Sequence, residues 1–423
     1  MFEPILTANI HLPDSEKIST YLHMGGYQAT RTALTQYTPQ ELIDLVKRSG
    51  LRGRGGAGFP AGVKWGFMPR ESNIQKIVAV NTDEGEPGTF KDRQIVECDP
   101  HQVIEGVIIA SYAVGASRAT VYIRGEFFLG VKRWIKAIAD AYEYGFLGKN
   151  LFGTGYDLDM SVHRGAGAYI CGEETAMLES LEGKPGNPRL KPPYPAQTGL
   201  FNLPTLVHNI ETLACLKHIV LHGAEWFANI GTEQSKGPKI FSVSGHVNKP
   251  GNYELPLGTP LSEIIYEHAG GMRDGKKLKA IIPGGASTPI LTADQVDTPM
   301  AFETLEKAGS QLGTGAIVVM DETTCMVEAA RRTTKFFAHE SCGRCVPCRI
   351  GSVRLYEILA RIENGNGLPG DIDQVIYLCE NIDGRTFCPM GAALVNPARS
   401  TVRKFSEEYQ YHIENKRCWV NAH

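Results

Sequence analysis

The sequence predicts a multidomain α/β protein in which a largely parallel sheet covered by helices is followed by a small α+β domain and then a helical bundle. Three observations carry that prediction. The chain has 423 residues, room for about three domains at roughly 150 residues each. Its first half alternates short β-branched apolar runs with stretches of helical spacing, the pattern of strands joined through helices. Near Ser235-Lys236-Gly237-Pro238 this gives way to short strands with Pro-Gly turns, and after Thr323 the chain becomes helical again.

The elements follow in order. Pro39 to Arg48 puts Leu42, Ile43 and Val46 on one face, an amphipathic helix that stops at Ser49-Gly50. Lys76 to Asn81 reads as a buried strand, and His101 to Val114 has helical spacing behind Asp99-Pro100. Ala119 to Ile123 repeats the strand signal and Leu129 to Tyr144 the helix signal. Leu158 to Val162 then leads through a glycine loop into a helix beginning near Gly172, and Leu206 to Thr212 reads as part of another helix. The α+β segment alternates short strands around one helix, and four candidate helices close the chain, the last running from Ala393 to Glu414. The expected domains are 1–236, 237–325 and 326–423.

Composition narrows the function. Lys+Arg number 43 against 46 Asp+Glu, a formal charge of -3, so no basic field is available to hold nucleic acid or anionic lipid. No run of about 18 apolar residues occurs, which argues against a spanning helix and direct membrane insertion. The first twenty residues lack a basic segment followed by an apolar stretch, so the chain is expected to stay where it is made. Ten cysteines are too sparse for a disulfide scaffold, and three fall at metal-ligand spacing, so a reducing compartment is expected.

Cys342, Cys345 and Cys348 form a Cys-x2-Cys-x2-Cys run, and Cys388, followed by Pro389, supplies a fourth thiolate. Short loops let three sulfurs reach three corners of one iron-sulfur cube, and Cys-Pro is a recurrent ending of such sites. The alternative is a structural zinc, whose usual signature is two separated Cys-x2-Cys pairs. Cys98, Cys171, Cys215, Cys325, Cys379 and Cys418 share no ligand spacing and read as buried small hydrophobes.

The densest glycine segment runs from Gly53 through Gly55, Gly56 and Gly58 to Phe59. It contains G-x-G-x-x-G, but a helix and not a strand precedes it, so the dinucleotide fingerprint fails its context test. What survives is backbone N–H exposed to an anion, positive charge from Arg52, Arg54 and Lys64, and Phe59 and Phe67 to face a flat ring. A phosphate-bearing cofactor fits. Loops behind the first and third strands carry Asn81, Asp83, Glu84 and Glu86, and Gly172, Glu173 and Glu174, at the sheet edge where open α/β sheets bind ligands. Hard metal binding by the acidic trio is the alternative there. Asn209 and Thr212, three apart, offer one helix face to the same pocket or serve as caps.

With GRGGAGFPAGVKW, NTDEGEPGTFKDR, GAGAYICGEETA and SCGRCVPCR in one order on one chain, the sequence closely resembles the NADH-oxidising flavoprotein subunits of respiratory complex I. The resemblance implies a Rossmann-like first domain, a ubiquitin-like middle domain and a helical carboxyl-terminal bundle. It also implies FMN and NAD(H) in one cavity, with one 4Fe-4S cluster held by Cys342, Cys345, Cys348 and Cys388. FMN is expected at Gly53, Gly55, Lys64, Asn81, Asp83, Glu84, Gly172, Glu173, Glu174, Asn209 and Thr212, within the glycine loop that includes Gly56 and Gly58. NADH is expected at Phe59, Lys64, Phe67, Glu86, Glu174 and Lys191, with Tyr194 beside the adenine and Glu86 and Glu174 tuning the reaction. His208 stands where many relatives have asparagine. The implied reaction is hydride transfer to FMN followed by single-electron exit toward quinone. The implied partners are a thioredoxin-like 2Fe-2S subunit and a larger multi-cluster iron-sulfur subunit, on the cytoplasmic face of a bacterial inner membrane. The diaphorase subunits of NAD-linked hydrogenases and formate dehydrogenases share these motifs and are the alternative.

Overall fold

The computed structural model describes residues 2–71 and 73–420. The chain forms two compact units, one of Met1–Gly85, Phe90–Phe241 and Glu254–Gly258, the other of Glu86–Thr89, Ser242–Tyr253 and Thr259–His423.

In the first unit β1 (Ile77–Thr82), β2 (Arg118–Ile123), β3 (Asp159–Arg164) and β4 (Thr205–Asn209) build a four-stranded parallel sheet in the order β3-β2-β1-β4. Ile77, Val78, Ala79 and Val80 are all buried, the continuous apolar run of a strand covered on both faces. The expected helical reading of Leu206 to Thr212 is corrected here. Residues 205–209 pair in register with β1, Ile77 opposite Thr205 and Asn81 opposite Asn209, and the helix starts only at Ile210. Asn209 is its N-cap, its Oδ1 accepting from Glu211 N at 3.0 Å.

The helix Pro100–Val114 is the axis of this unit's core, with every residue but Tyr112 buried. It packs on the helix Ile210–His222, and Gly106 sets the approach: a Cβ there would sit 2.1 Å from the Leu213 carbonyl oxygen. Gly106→Ala must therefore push the two helices apart, and a loss of about 1–3 kcal/mol is expected from overpacking. A lowered denaturant midpoint checks it, and an unchanged midpoint would mean that this crossing is not rigid. The amino terminus is tied to the same unit by Glu254, whose carboxylate accepts from Ile5 N and Leu6 N at 2.9 Å and from Thr7 N at 2.8 Å.

The second unit contains a five-stranded sheet, whose first two strands begin or end in segments counted with the other unit. The strands are β5 (Pro238–Gly245), β6 (Gly251–Pro256), β7 (Leu278–Ile282), β8 (Leu291–Thr292) and β9 (Ala316–Asp321), in the order β6-β5-β9-β7-β8. β9 runs parallel to β5 and antiparallel to β7, so the sheet is mixed as an α+β segment requires. Helices Met326–Glu340, Val346–Glu363, Asp371–Ile382, Met390–Lys404 and Ser406–Asn415 follow.

Five helices replace the expected four because the last one breaks at Phe405, whose φ of -133° and ψ of 38° are not helical. The break turns Phe405 onto an apolar cluster containing Ala280, Ile282 and Met326. It also returns Glu408 to the start of the first bundle helix, where its carboxylate accepts from Met326 N at 3.0 Å and pairs with Lys279 at 2.6 Å. Among the described residues no helix is long and apolar enough to cross a membrane.

Candidate functional site

In the first unit the carboxyl ends of β1, β3 and β4 gather the loops that carry the candidate residues. The glycine segment is held closed at its base, with Gly53 N donating to Phe59 O at 2.9 Å and Arg52 Nε to Gly58 O at 2.6 Å. Its tip lies against β4. Arg54 N donates to Thr212 Oγ1 at 2.8 Å, and a Cβ on Gly55 would stand 3.0 Å from the Asn209 Cβ. Thr212 thus tethers the loop, while Asn209 packs against it and donates from Nδ2 to Asp92 Oδ2 at 2.6 Å. Gly56 has open space where a Cβ would point.

Arg54 is the informative residue of this loop. Its side chain is 1% exposed, and Nη2 donates to Lys236 O at 2.6 Å. Its Nε and Nη1 are buried with no hydrogen-bond partner. Buried guanidinium donors left unmade are costly, so an acceptor is needed there.

The surrounding charges ask for the same thing. Lys91 and Lys239 both reach Glu211 Oε2, at 2.8 and 3.1 Å, and Lys91 also meets Asp92 Oδ1 at 2.6 Å. All four side chains are buried. Burial opposes the Glu211 charge, but Lys239, Lys91 and Arg54 overcome it and hold the carboxyl at about 2. Lys239 is the surplus cation: burial lowers it to about 8 despite Glu211, with Lys91 and Arg54 repelling it. Three buried basic side chains stand against the carboxylates of Asp92 and Glu211, with Glu84, raised to about 7, beside them. A phosphate group supplies the missing acceptors and the missing negative charge together. Lys91, Asp92, Glu211 and Lys239 were outside the sequence-based site, and no local spacing marks them.

The acidic candidates divide by role. Asn81 Nδ2 donates to Gly172 O at 2.9 Å, and Asn81 Oδ1 accepts from Asp83 N at 3.0 Å, fixing both loops at the end of β1. A Cβ on Gly172 would meet Asp83 O at 3.4 Å, so the two loops touch. Glu84 turns inward, accepting from Asp92 N at 2.8 Å and Arg93 N at 3.0 Å at the start of the helix Lys91–Cys98. Burial and the nearby Asp92 charge raise it to about 7. Glu173 caps the helix Glu174–Leu181, with Oε2 accepting from Thr175 N and Ala176 N.

Glu174 lies between two lysines, with Oε2 at 2.9 Å from Lys64 Nζ and Oε1 at 2.7 Å from Lys191 Nζ. Burial resists its ionisation, yet Lys64 and Lys191 pull it down to about 2. Lys191 also reaches Glu173 at 3.0 Å. Phe59 and Phe67, 47% and 58% exposed, have ring centroids 6.1 Å apart and flank Lys64 in sequence, and Tyr194 is exposed as well. These large rings facing solvent are available to a flat ligand. His208 is buried on β4 and accepts from Trp65 Nε1 at 2.8 Å. Burial and then Lys64 push it down to about 3, so it is a neutral acceptor at physiological pH. Glu86 belongs to the second unit, where its Oε1 accepts from Ser287 N at 2.7 Å.

The four cysteines of the expected cluster all lie in the second unit. Cys345 is the N-cap of the helix Val346–Glu363, and Cys348 sits buried in its first turn with Sγ 3.2 Å from Ser341 Oγ. Cys388 directly precedes Pro389, the N-cap of the helix Met390–Lys404. The Arg344 guanidinium lies 4.6 Å from the centroid of the Phe387 ring, which brings the Cys388 loop to the Cys342–Cys348 loop. Burial, partly offset by Ser341, pushes the Cys348 thiol up, and Cys345 and Cys342 push it further. Thiols that crowd one another need a cationic centre to ionise together, and two helix N-termini beside them favour an anionic assembly. The donor set therefore fits an iron-sulfur group.

Residues 46–218 match the family model described as the Nuo51 FMN-binding domain, residues 240–291 the SLBB domain, and residues 328–412 the NADH-ubiquinone oxidoreductase-F iron-sulfur binding region. The chain is 52% identical over 418 residues to the second F-type subunit of NADH-quinone oxidoreductase from Rhizobium meliloti (strain 1021), with 99% of both chains covered. It is 48% identical over 414 residues to the HndC subunit of the NADP-reducing hydrogenase of Solidesulfovibrio fructosivorans, covering 98% of this chain and 84% of that one. A solved NAD+-reducing NiFe-hydrogenase in the air-oxidized state matches 98% of this chain and 67% of its own, with a TM-score of 0.82 and 33% identity.

Proposed function

Because the chain belongs to the family of F-type subunits of NADH-quinone oxidoreductase, we propose that its glycine loop and the loops behind β1, β3 and β4 hold FMN, with NADH entering beside the exposed rings. The chain works as the NADH-oxidising flavoprotein subunit of a multisubunit complex, moving a hydride from NADH to FMN and single electrons through one 4Fe-4S cluster. The observation that carries the FMN placement is Arg54, buried in the glycine loop with two donors unmade beside surplus positive charge. FMN, when bound, accepts two electrons from the nicotinamide and releases them one at a time.

The chain's own residues bind and orient. Arg54 and the glycine-loop N–H groups take the phosphate, and Asn81, Asp83 and Gly172 present polar atoms to the ribityl chain and ring edge. Glu173, Glu174, Asn209 and Thr212 keep the loops in place. Lys64 and Lys191 hold Glu174 ionised, and Phe59, Phe67 and Tyr194 offer faces to the nucleotide. Glu86 is the nucleotide contact carried by the motif alone. Cys342, Cys345, Cys348 and Cys388 ligate the cluster.

Arg54→Gln is expected to weaken FMN affinity at least about tenfold, the loss of a charge-assisted phosphate contact, measured by flavin fluorescence on release. Equal affinity would remove Arg54 from the site. Glu86→Gln is expected to change the affinity for NADH, because it removes a negative charge beside an anionic ligand. Titration with NADH and NAD+ reads it, and identical constants would take Glu86 out of the role. Anaerobic addition of NADH to the purified chain should bleach the flavin band together with the broad iron-sulfur absorbance. A flavin-loaded chain that NADH does not bleach would overturn the reading.

The finer assignments belong to the same proposal: the division at 1–236, 237–325 and 326–423, with Rossmann-like, ubiquitin-like and bundle parts, the thioredoxin-like 2Fe-2S and multi-cluster partners, and the cytoplasmic membrane face. The 48% identity to a hydrogenase subunit supports a second reading, a diaphorase subunit of an NAD-linked hydrogenase. Affinity purification from the native host separates them: quinone-reducing membrane partners favour the first, a soluble hydrogenase partner the second.

A further inference from the structure

A second cluster of metal-binding side chains lies in the second unit, apart in sequence from the four cysteines assigned to iron and sulfide. Cys325, Glu363, His412 and Cys418 each offer one donor atom, and the four atoms lie within 4.8 Å of one another. They arrive from separate elements: the residue before the helix Met326–Glu340, the last residue of Val346–Glu363, the helix Ser406–Asn415, and the tail beyond it. Cys325 and Cys418, read from sequence as small hydrophobes, are placed here with partners.

The spacing has the dimensions of a tetrahedral site. Zn2+ bonds of about 2.3 Å to sulfur, about 2.0 Å to nitrogen and about 2.1 Å to oxygen put S and N about 3.5 Å apart, S and O about 3.6 Å, and N and O about 3.3 Å. Cys325 Sγ is 3.5 Å from His412 Nε2 and 3.4 Å from Glu363 Oε2, and His412 Nε2 is 3.3 Å from Glu363 Oε2.

The surroundings are those of a ligand set. His412, fully buried, uses Nδ1 on the Glu408 carbonyl oxygen at 2.7 Å, which fixes the ring and leaves Nε2 to face the cluster. Cys325 caps its helix, and Glu328 N donates to its Sγ at 3.4 Å, which fixes the sulfur at the start of the helix. Glu408, accepting from Met326 N at 3.0 Å, holds the His412 helix against the start of the first bundle helix, and its pair with Lys279 ties the same helix to β7, so the site does not depend on the metal alone for its shape.

We propose that Cys325, Glu363, His412 and Cys418 bind one zinc ion. Four protein ligands close the coordination sphere, so the zinc is structural, clamping the chain's tail to the start and end of bundle helices. The inference is independent of flavin binding.

Metal analysis of the full chain carrying its complete iron complement tests it. One zinc per chain is expected, and His412→Gln and Cys418→Ser should each lose it while keeping the iron. Growth with Co2+ in place of zinc should give the intense visible bands of tetrahedral cobalt with thiolate charge transfer, a readout on the parent chain that stands even if both variants fail to fold. An iron-replete chain that takes up neither added Zn2+ nor Co2+ overturns the proposal. So does zinc that survives in the His412→Gln/Cys418→Ser double variant, or that disappears in Cys348→Ala instead, which would place it on the cluster cysteines.

Discussion

Glu211→Gln is expected to destabilise the folded chain by about 3–5 kcal/mol, the penalty for removing one partner from a buried ion network. Lys91 and Lys239 share Glu211 Oε2, and its Oε1 accepts from Ile240 N at 2.9 Å, so the variant leaves two buried ammonium groups short of a counter-charge. The pH dependence gives a sharper signature than the midpoint. Glu211 is held at about 2 against an ordinary 4.5. Its folded value is the lower one, so its contribution is complete above the ordinary value and is lost as pH falls toward about 2. Lys239 gives a slope of the same sign at the alkaline end, but at neutral pH its shift is a penalty where that of Glu211 is a gain. Burial depresses it to about 8 from 10.5, the unfolded chain holds its proton longer, and stability recovers as pH climbs across that interval. Urea melts of parent and variant across pH should show the acid slope diminished in the variant. Equal melts at pH 7 would mean that Glu211 does not carry the network. Bound FMN or inorganic phosphate should stabilise the parent at neutral pH, by neutralising the surplus cation.

The second large effect is expected in the other unit. Cys348→Ala should abolish iron binding and with it electron delivery to any one-electron acceptor beyond the flavin, because the remaining thiolates cannot complete the cluster's ligand set. The flavin loops lie in the first unit, so FMN should remain and NADH should still bleach it. Iron content, the broad visible absorbance and flavin bleaching are read on one sample. A variant with its full iron and an unchanged spectrum would remove Cys348 from the ligands.

What the sequence disclosed depended on how local each signal was. The Cys342-x2-Cys345-x2-Cys348 run was readable because its chemistry is written in adjacent turns, and the run-and-helix alternation exposed β1 and β2 because largely buried strands demand apolar runs, whereas β3, with only Met160 buried, was marked by its place before the glycine loop. β4 was missed because Thr205–Asn209 passes into a helix without a turn residue, so Asn209, weighed both as a pocket residue and as a cap, did not mark where the helix begins. The Phe405 break was invisible for a related reason: no glycine or proline marks it, and tertiary packing of one ring decides it. Lys91, Glu211 and Lys239 escaped because charged residues are presumed exposed until a fold buries them together. The candidate site was legible as loops and residue types. The division of labour within it was not, since Thr212 tethers a loop and Glu84 caps a helix only once long-range contacts exist.

The strand order also sets a schedule for biosynthesis. β1 leaves the ribosome first, yet it lies between β2 and β4, and β4 together with Thr212 and Lys236 is translated far later. Glu254, which secures residues 5–7, comes later still. At about 5–20 residues per second the glycine loop waits on the order of ten seconds for the partners that shape it. Nascent chains arrested before residue 258 should therefore be unable to retain flavin, so cofactor loading waits until more than half of the chain is made, and the unfilled unit is exposed to proteolysis in a cell short of riboflavin.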